Sequence, residues 1–203
     1  TAYESNESVI LPIVADTAYS PGAPGDATIT IVSDDLPPDL IVTSVAAPAT
    51  AGADTDIVVT DTTKNQGSGP SLASATGFYL STNTTFDAAD TFLASRPAAV
   101  LAPGATDVAS TTAHLPSTIA AGTYYVLARA DWDNGVEESV ETNNVRTSGA
   151  IKIGPDLIVS ALTVPASVAA GAAFSVSDTT KNQGGGSADA STTRFYLSAN
   201  SVL

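Results

Sequence analysis

The sequence lacks cysteine and methionine and is poor in cationic side chains. Its 203 residues include one His, one Trp and 7 Lys and Arg against 21 Asp and Glu, which gives a net charge of −14. Without cysteine there can be no disulfide scaffold and no thiolate metal site. Too few cations are present to displace counterions from phosphates, so we expect no nucleic-acid partner.

Long hydrophobic runs and catalytic constellations are missing as well. No stretch approaches the roughly 18 apolar residues of a transmembrane helix, so we expect no membrane insertion. The single histidine, His114, has no partner pattern for a catalytic triad or a metal cage. We therefore predict that the chain is not an enzyme, although a pair of acids for glycoside hydrolysis stays open at this point.

Strand-forming residues dominate what is present. No segment places apolar residues at helical spacing for three turns without Gly or Pro, whereas Thr and Val are abundant. Seven short β-prone runs separated by turn residues predict an all-β protein built from immunoglobulin-like β-sandwich modules. These runs lie near residues 39–46, 56–64, 74–82, 90–95, 105–113, 122–131 and 144–153.

A repeat organises the chain. The letters DTTKNQG at residues 61–67 return unchanged at 178–184, an offset of 117 positions. Two further motifs share this offset, PDLIV at 38–42 and 155–159 and FYLS at 78–81 and 195–198. A period of this size indicates tandem domains rather than a solenoid of small units. Because Asn and Gly tolerate left-handed backbone, we expect Asn65 and Gly67 to turn the chain at the end of a strand.

The repeat sets the predicted domain boundaries. Residues 37–154 form a complete sandwich, and residues 155–203 form the N-terminal part of a second one, ending after its third strand at the FYLS motif. A short proline-containing joint links the two. Residues 1–36 are predicted to be the end of a preceding β-domain.

Several spaced motifs in the unit at 37–154 identify a family. They are Pro38-Asp39-Leu40-x-Val42, Asn65-x-Gly67, Phe78-Tyr79-Leu80-Ser81, Gly122-x-Tyr124 followed by Asp131, and Glu138-x-x-Glu141-x-Asn143-Asn144. In this order they resemble the CARDB domain, a cell-adhesion-related domain found in bacteria, and the match starts again at 155. The resemblance implies an immunoglobulin-like sandwich in large extracellular or cell-surface proteins, and it implies no catalytic activity.

Two motifs in residues 1–36 resemble the C-terminal half of a Calx-beta domain. One is Tyr3-Glu4-x-x-Glu7-Ser8-Val9-x-Leu11, and the other is Thr28-Ile29-Thr30-Ile31-x-x-Asp34-Asp35. The resemblance implies that four acids stand where calcium-binding Calx-beta domains keep some of their ligands. These are Glu4, Glu7, Asp34 and Asp35.

The densest acidic cluster follows the run that ends near residue 131. Asp131 and Asp133 are two apart and so point the same way at a strand end, while Glu138 and Glu141 could close round the same point. Calcium takes roughly six to eight oxygens, and this loop could supply most of them. The alternative is a solvated hairpin loop whose asparagine side chains bond to the backbone.

A second acidic loop contains Asp87 and Asp90. These two carboxylates face water or a calcium ion, but alone they fall short of a calcium shell. A capped turn is the alternative.

The predicted function is structural. We expect tandem modules that provide spacing, adhesion or assembly in a secreted, extracellular or cell-surface protein, stiffened by calcium and partnered by neighbouring domains or subunits of the same protein. The alternative is an accessory module of a secreted enzyme that binds a glycan or a protein. Trp132, beside the acidic loop, could stack on a sugar or form a partly buried rim.

Both ends of the sequence are expected to expose apolar faces that need a covering layer. The residues concerned are Ile10, Ile13, Ile29 and Ile31, and Leu157, Val159, Phe174, Val176, Phe195 and Leu197. Either these residues belong to an excerpt of a longer chain that completes both domains, or one subunit's tail completes another's sandwich by strand addition. The second possibility would give a head-to-tail filament.

Overall fold

Strands provide all the regular structure in the described part of the chain. The computed structural model describes residues 6–12, 14, 17–18, 20, 22–23, 26–32 and 36–200, and these ranges contain strands, turns and bends but no helix. The all-β prediction is confirmed. The strands are β1 (Glu7–Pro12), β2 (Asp26–Ile31), β3 (Leu40–Ala46), β4 (Thr50–Ala51), β5 (Asp56–Asn65), β6 (Ser74–Ser81), β7 (Thr91–Ala98), β8 (Thr106–His114), β9 (Gly122–Arg129), β10 (Val145–Thr147), β11 (Ile151–Ile153), β12 (Leu157–Thr163) and β13 (Ser177–Asn182).

Two sheets face each other in the first unit. One sheet has the order β3-β5-β8, and the other has the order β4-β11-β9-β6-β7, with β10 also paired to β9. Side chains of β5 alternate between solvent and interior, as expected for a strand with one buried face. The interior is filled from both sheets by fully buried apolar side chains. They include Leu40, Val59, Phe78, Leu115, Val126 and Ile151.

Six of the seven predicted strands lie within three residues of their predicted bounds. The seventh, predicted at 144–153, is wrong as a single strand, because it is divided into β10 and β11. Residues 148–150 stand opposite only 125–126 of β9, so one extra residue interrupts the ladder. The hydroxyl oxygen of Ser148 accepts the N–H of Val126 at 2.9 Å and so replaces the lost backbone bond. The two-residue strand β4 is too short to have been predicted.

The repeated heptapeptide ends β5 in a loop held by one buried side chain. Asn65 Oδ1 accepts the N–H groups of Asp39 at 3.1 Å and Gly67 at 3.0 Å, and its Nδ2 donates to the carbonyls of Gly69 and Leu101. The prediction of left-handed backbone here is wrong, because neither Asn65 nor Gly67 has a positive φ. Glycine is required at 67 by close approach, since a Cβ there would lie 2.4 Å from the carbonyl carbon of Pro38.

The second unit begins as the first does. Strands β12 and β13 pair with the register of β3 and β5, and the irregularity between Val42 and Ser44 recurs between Val159 and Ala161. The expected third strand at 195–198 is wrong, because residues 183–200 contain no strand. In the first unit the corresponding β6 pairs with β7 and β9. The FYLS motif of the second unit has no such partner among the described residues.

Residues before the first unit form a hairpin. Strands β1 and β2 pair from Glu7 opposite Ile31 to Pro12 opposite Asp26, and every side chain of both strands is exposed. Glu4, Asp34 and Asp35, together with Ile13, lie outside the described residues. The Calx-beta resemblance and its calcium ligands therefore stay predictions.

Candidate functional site

The loop between β9 and β10 gathers most of the predicted acidic ligands. It starts with Asp131, whose φ of 44° lies in the left-handed region, and turns again at Asn134, with a φ of 52°. Aspartate and asparagine are the non-glycine residues that tolerate this conformation best. The backbone N–H of Trp132 donates to the Ala75 carbonyl at 3.2 Å, and the backbone N–H of Ser139 donates to the Pro38 carbonyl at 2.9 Å. The loop is thus fastened to both sheets.

Asp131 organises the first half of this loop. Its carboxylate accepts the N–H groups of Gly135 at 3.2 Å and Val136 at 3.0 Å, and the residue is 1% exposed. Burial is the main cause that raises its pKa, and these two hydrogen bonds oppose the rise. Asp133 is exposed. One carboxylate is thus turned into the protein, and the other faces solvent.

Glu138 occupies the centre of the second half. Its carboxylate accepts the backbone N–H of Leu40, at the start of β3, and the Nδ2 group of Asn144. The side chain is 7% exposed, and burial is the main cause that raises its pKa to about 7. Glu141 Oε1 accepts the Glu138 N–H at 2.8 Å and closes the turn. Glu141 is thus tied to the backbone of Glu138, and the closing of both carboxylates round the point set by Asp131 and Asp133 stays a prediction.

The two asparagine side chains of the loop bond to carboxylates, and not to backbone as the hairpin alternative expected. Asn143 Nδ2 donates to Asp39 Oδ1 at 2.9 Å, so the loop is tied to the residue that precedes β3. The Oδ1 atoms of Asn143 and Asn144 are buried without a hydrogen-bond partner among the described residues. The contacts of both side chains are to other side chains rather than to backbone.

Asp87 and Asp90 form a separate capped turn. The Asp87 N–H donates to Asp90 Oδ2 at 2.9 Å, and the Ala89 N–H donates to Asp87 Oδ1 at 2.7 Å. This local bonding is the alternative that the sequence left open. In the part of the chain that the structure describes, no group of three or more His, Cys, Asp or Glu side chains is arranged to hold a metal ion. Calcium at any of these acids stays a prediction.

Sequence reasoning missed a buried ion-pair network. Arg96 on β7 donates to both carboxylate oxygens of Asp61 at 2.8 and 2.7 Å, and to Asp107 Oδ2 at 2.9 Å. The Arg96 and Asp61 side chains are 7% and 0% exposed. The only available signal was an aspartate in the β-prone run before the repeated asparagine, and nothing in the sequence paired it with residue 96.

Sequence reasoning also missed a row of aromatic side chains on the outer side of the β7-β6-β9 sheet. The rings follow one another with centroid distances of 4.8 Å from Phe86 to Tyr79, 5.3 Å from Tyr79 to Phe92 and 5.1 Å from Phe92 to Trp132. The Arg129 guanidinium lies 5.4 Å from the Phe86 centroid. The bulge between Phe78 and Tyr79 sets Tyr79 opposite Phe92, which could not be seen in the sequence.

Comparison with solved structures finds small β-domains and parts of larger enzymes. A crystallised CARDB domain from Pyrococcus furiosus, in complex with di-metal ions, is 23% identical, covering 58% of this chain and 94% of that one with a TM-score of 0.44. A domain of a candidate cell surface protein from Methanosarcina acetivorans is 22% identical, covering 57% and 91% with a TM-score of 0.42. A β-glucosidase from Thermotoga neapolitana is 12% identical, covering 57% and 16% with a TM-score of 0.41.

Sequence comparison settles the family. No curated protein matches the chain. Among the described residues, no helix is long and apolar enough to cross a membrane. The sequence profile of CARDB matches residues 37–148 and matches again at 154–203, so it covers most of the chain. The chain therefore belongs to the CARDB family, whose profile matches it twice in tandem.

Proposed function

We propose that this chain is a spacer of tandem, non-catalytic CARDB modules in an extracellular or cell-surface protein, and that its direct joint fixes the relative orientation of successive modules. The observation that carries the proposal is the close packing of Gly185 against the backbone of Ala51, in β4 of the preceding module. Adhesion or assembly through the same array, calcium as a stiffening ion and a Calx-beta-like module at residues 1–36 belong to this proposal and rest on sequence alone.

The joint has almost no free chain. Strand β11 ends at Ile153 and β12 begins at Leu157. The Gly154 N–H donates to the Ala51 carbonyl at 3.1 Å, and the Gly186 N–H donates to the Gly154 carbonyl at 3.0 Å. The first module, the linker and the second module are thus joined through one set of backbone bonds. A linker of this kind transmits orientation, unlike a flexible Gly and Ser tether.

A difference between the two copies supports the same conclusion. Ser68 in the first unit corresponds to Gly185 in the second. A Cβ on Gly185 would lie 2.4 Å from the carbonyl carbon of Ala51 and 2.5 Å from its nitrogen. Both are backbone atoms of β4, which cannot move away as the end of a flexible side chain could. The second unit needs glycine at this position because the preceding module touches it there.

Distances across the joint test the proposal. The chain contains no cysteine, so Thr112→Cys on β8 and Ser177→Cys on β13 would carry the only two spin labels. Both positions are exposed. Pulsed electron spin resonance on the full chain should give one narrow distance distribution. Adding Gly185→Ser should broaden the distance distribution, because the serine Cβ would collide with the backbone of Ala51.

Gly149→Ser is the matched control. No heavy atom lies within 4 Å of a Cβ built there, so this substitution should leave the distribution narrow. A broad distribution in the doubly labelled parent chain would contradict a fixed joint. An unchanged narrow distribution in the Gly185→Ser chain would show that the orientation does not depend on this contact.

A further inference from the structure

The aromatic row of the first unit leads into an open groove. The row consists of Phe86, Tyr79, Phe92 and Trp132. Phe86 also lines a groove of about 540 Å³ beside the acidic loop, together with Arg129, Glu141 and several threonines. Apolar rings beside a few placed polar groups are the usual composition of a ligand site on a protein surface.

The rings are partly open to solvent and are held in place by the fold. Phe92 is 46% exposed, and its ring is tilted only 31° from that of Trp132. The Trp132 side chain packs closely against Gly77, where a Cβ would lie 2.8 Å from the Trp132 Cβ and 2.9 Å from its Cγ. Arg194 takes the place of Gly77 in the second unit, so this packing position belongs to the first unit. Rings preorganised in this way lose little freedom when a ligand stacks on them.

The polar lining decides which ligand suits the groove. Arg129 and Glu141 balance each other in charge, and the threonine hydroxyls at Thr84, Thr85 and Thr142 can both donate and accept hydrogen bonds. The net charge of −14 opposes anionic ligands. A cation would find the face of Phe86 already occupied by the guanidinium of Arg129. A neutral ligand with apolar ring faces and a rim of hydroxyls complements all these features.

We propose that the aromatic row and its adjoining groove bind a neutral glycan. The apolar faces of successive sugar rings stack along the row from Trp132 and Phe92 towards Phe86. The hydroxyls of the sugar at the Phe86 end enter the groove at Arg129 and Glu141. The three centroid steps of 4.8, 5.3 and 5.1 Å give the row room for a short oligosaccharide rather than a single sugar. This inference is independent of the joint between the modules.

Trp132 provides the assay, because it is the only tryptophan in the chain. The probes are hexasaccharides of β-1,4-glucose, β-1,3-glucose, β-1,4-xylose, β-1,4-mannose and β-1,4-N-acetylglucosamine, with polygalacturonate as an anionic comparison. We expect at least one neutral hexasaccharide to change the Trp132 fluorescence saturably in the full chain, and polygalacturonate to cause no change. Calorimetry on the same pair gives the affinity without relying on the tryptophan.

Phe92→Ala should weaken that binding roughly tenfold or more, the scale of one lost stacking contact. Val108→Ala is the control, since Val108 is 65% exposed on β8 of the opposite sheet and should leave binding unchanged. The proposal is overturned if no neutral hexasaccharide binds at millimolar concentration, or if Phe92→Ala binds as well as the parent. It is also overturned if sedimentation shows that the row mediates self-association that Phe92→Ala abolishes.

Discussion

Asn65 and Asn182 make the same hydrogen bonds in very different surroundings. Asn182 Oδ1 accepts the N–H groups of Asp156 and Gly184, each at 3.0 Å, and its Nδ2 donates to the Gly186 carbonyl at 2.7 Å. These are the counterparts of three bonds of Asn65. Yet Asn65 is fully buried, whereas Asn182 is exposed. The heptapeptide therefore builds its loop from local bonding, without needing a core around it.

The difference between the units lies in what covers the strands. Leu40 and Val42 are 0% and 4% exposed in the first unit, while Leu157 and Val159, their counterparts, are 42% and 51% exposed. The second sheet of the first unit supplies the cover. Burial of apolar surface is the dominant favourable term in folding, so strand pairing alone adds little stability to the second unit. Equal hydrogen bonds therefore do not imply equal energies.

Removing one aspartate from each unit tests this contrast with the largest expected effect. Asp61→Ala leaves the buried Arg96 with one of its two carboxylate partners, and breaking a buried pair typically costs about 3–5 kcal/mol. Asp178→Ala removes the half-buried counterpart, which accepts a hydrogen bond from Thr180, and should cost about 1 kcal/mol or less, the scale of one hydrogen bond. Urea unfolding followed by Trp132 fluorescence measures the first unit in both variants.

Circular dichroism over the same urea range is the companion measurement, because it also follows the second unit. Equal destabilisation by Asp61→Ala and Asp178→Ala would show that burial does not separate the two units. If neither variant changes the unfolding midpoint, the Arg96 network contributes no net stability.

Glu138 is a buried acid of the first unit and should make its stability depend on pH. Its pKa is raised from 4.5 to about 7, mainly by burial. The folded state then holds a proton that the unfolded state releases, so this stabilisation is full below pH 4.5 and is lost as pH rises through about 7. The loss amounts to at most about 3 kcal/mol. Glu138→Gln should lose most of this pH dependence, and Asp131, whose pKa is also raised by burial, should account for what remains.

Glu137→Gln is the matched control for the pH experiment, because Glu137 is the exposed neighbour in the same loop. It should keep the parent's slope of unfolding free energy against pH. If Glu138→Gln keeps that slope as well, another group is responsible and the burial of Glu138 has no titration consequence.

Features written locally in the sequence could be predicted, and features made by distant pairs could not. The β-prone run near residues 56–64 and the Pro and Gly turns located the strands, because strand-forming and turn residues are recognised within a few positions. The third strand of the second unit failed as a prediction because a strand needs partners, and β7 and β9 have no described counterparts there.

The pairing of Arg96 with Asp61 depends on two strands from opposite sheets, so no spacing rule indicates it. The aromatic row has a similar origin. Tyr79 and Phe92 lie opposite each other because one extra residue of β7 shifts the register between Phe78 and Tyr79, and Gly77 leaves room for the Trp132 side chain. Four of the acids that acidic patterning assigned to calcium accept backbone N–H groups from within five residues, because a carboxylate at a tight turn finds such donors close by in the chain. They are Asp131, Glu141, Asp87 and Asp90. Glu138 instead accepts the N–H of the distant Leu40.

Calcium is expected to have the smallest effect, and it tests whether the acidic loop adds a second difference between the units. The loop belongs to the first unit, so an ion bound there should raise the melting temperature that Trp132 fluorescence reports for that unit. The second unit should be unaffected, because binding stabilises only the folded state that holds the ion. Asp131 and Glu138 already accept backbone N–H groups, which leaves weaker oxygens for an ion and limits the gain to about 1 kcal/mol at millimolar calcium.

Asp133→Asn should remove that gain without altering stability in EDTA, because its carboxylate is exposed. Asp90→Asn tests the second loop in the same way. Identical melting in EDTA and in calcium, together with no heat on titration, would mean that these acids serve the fold alone.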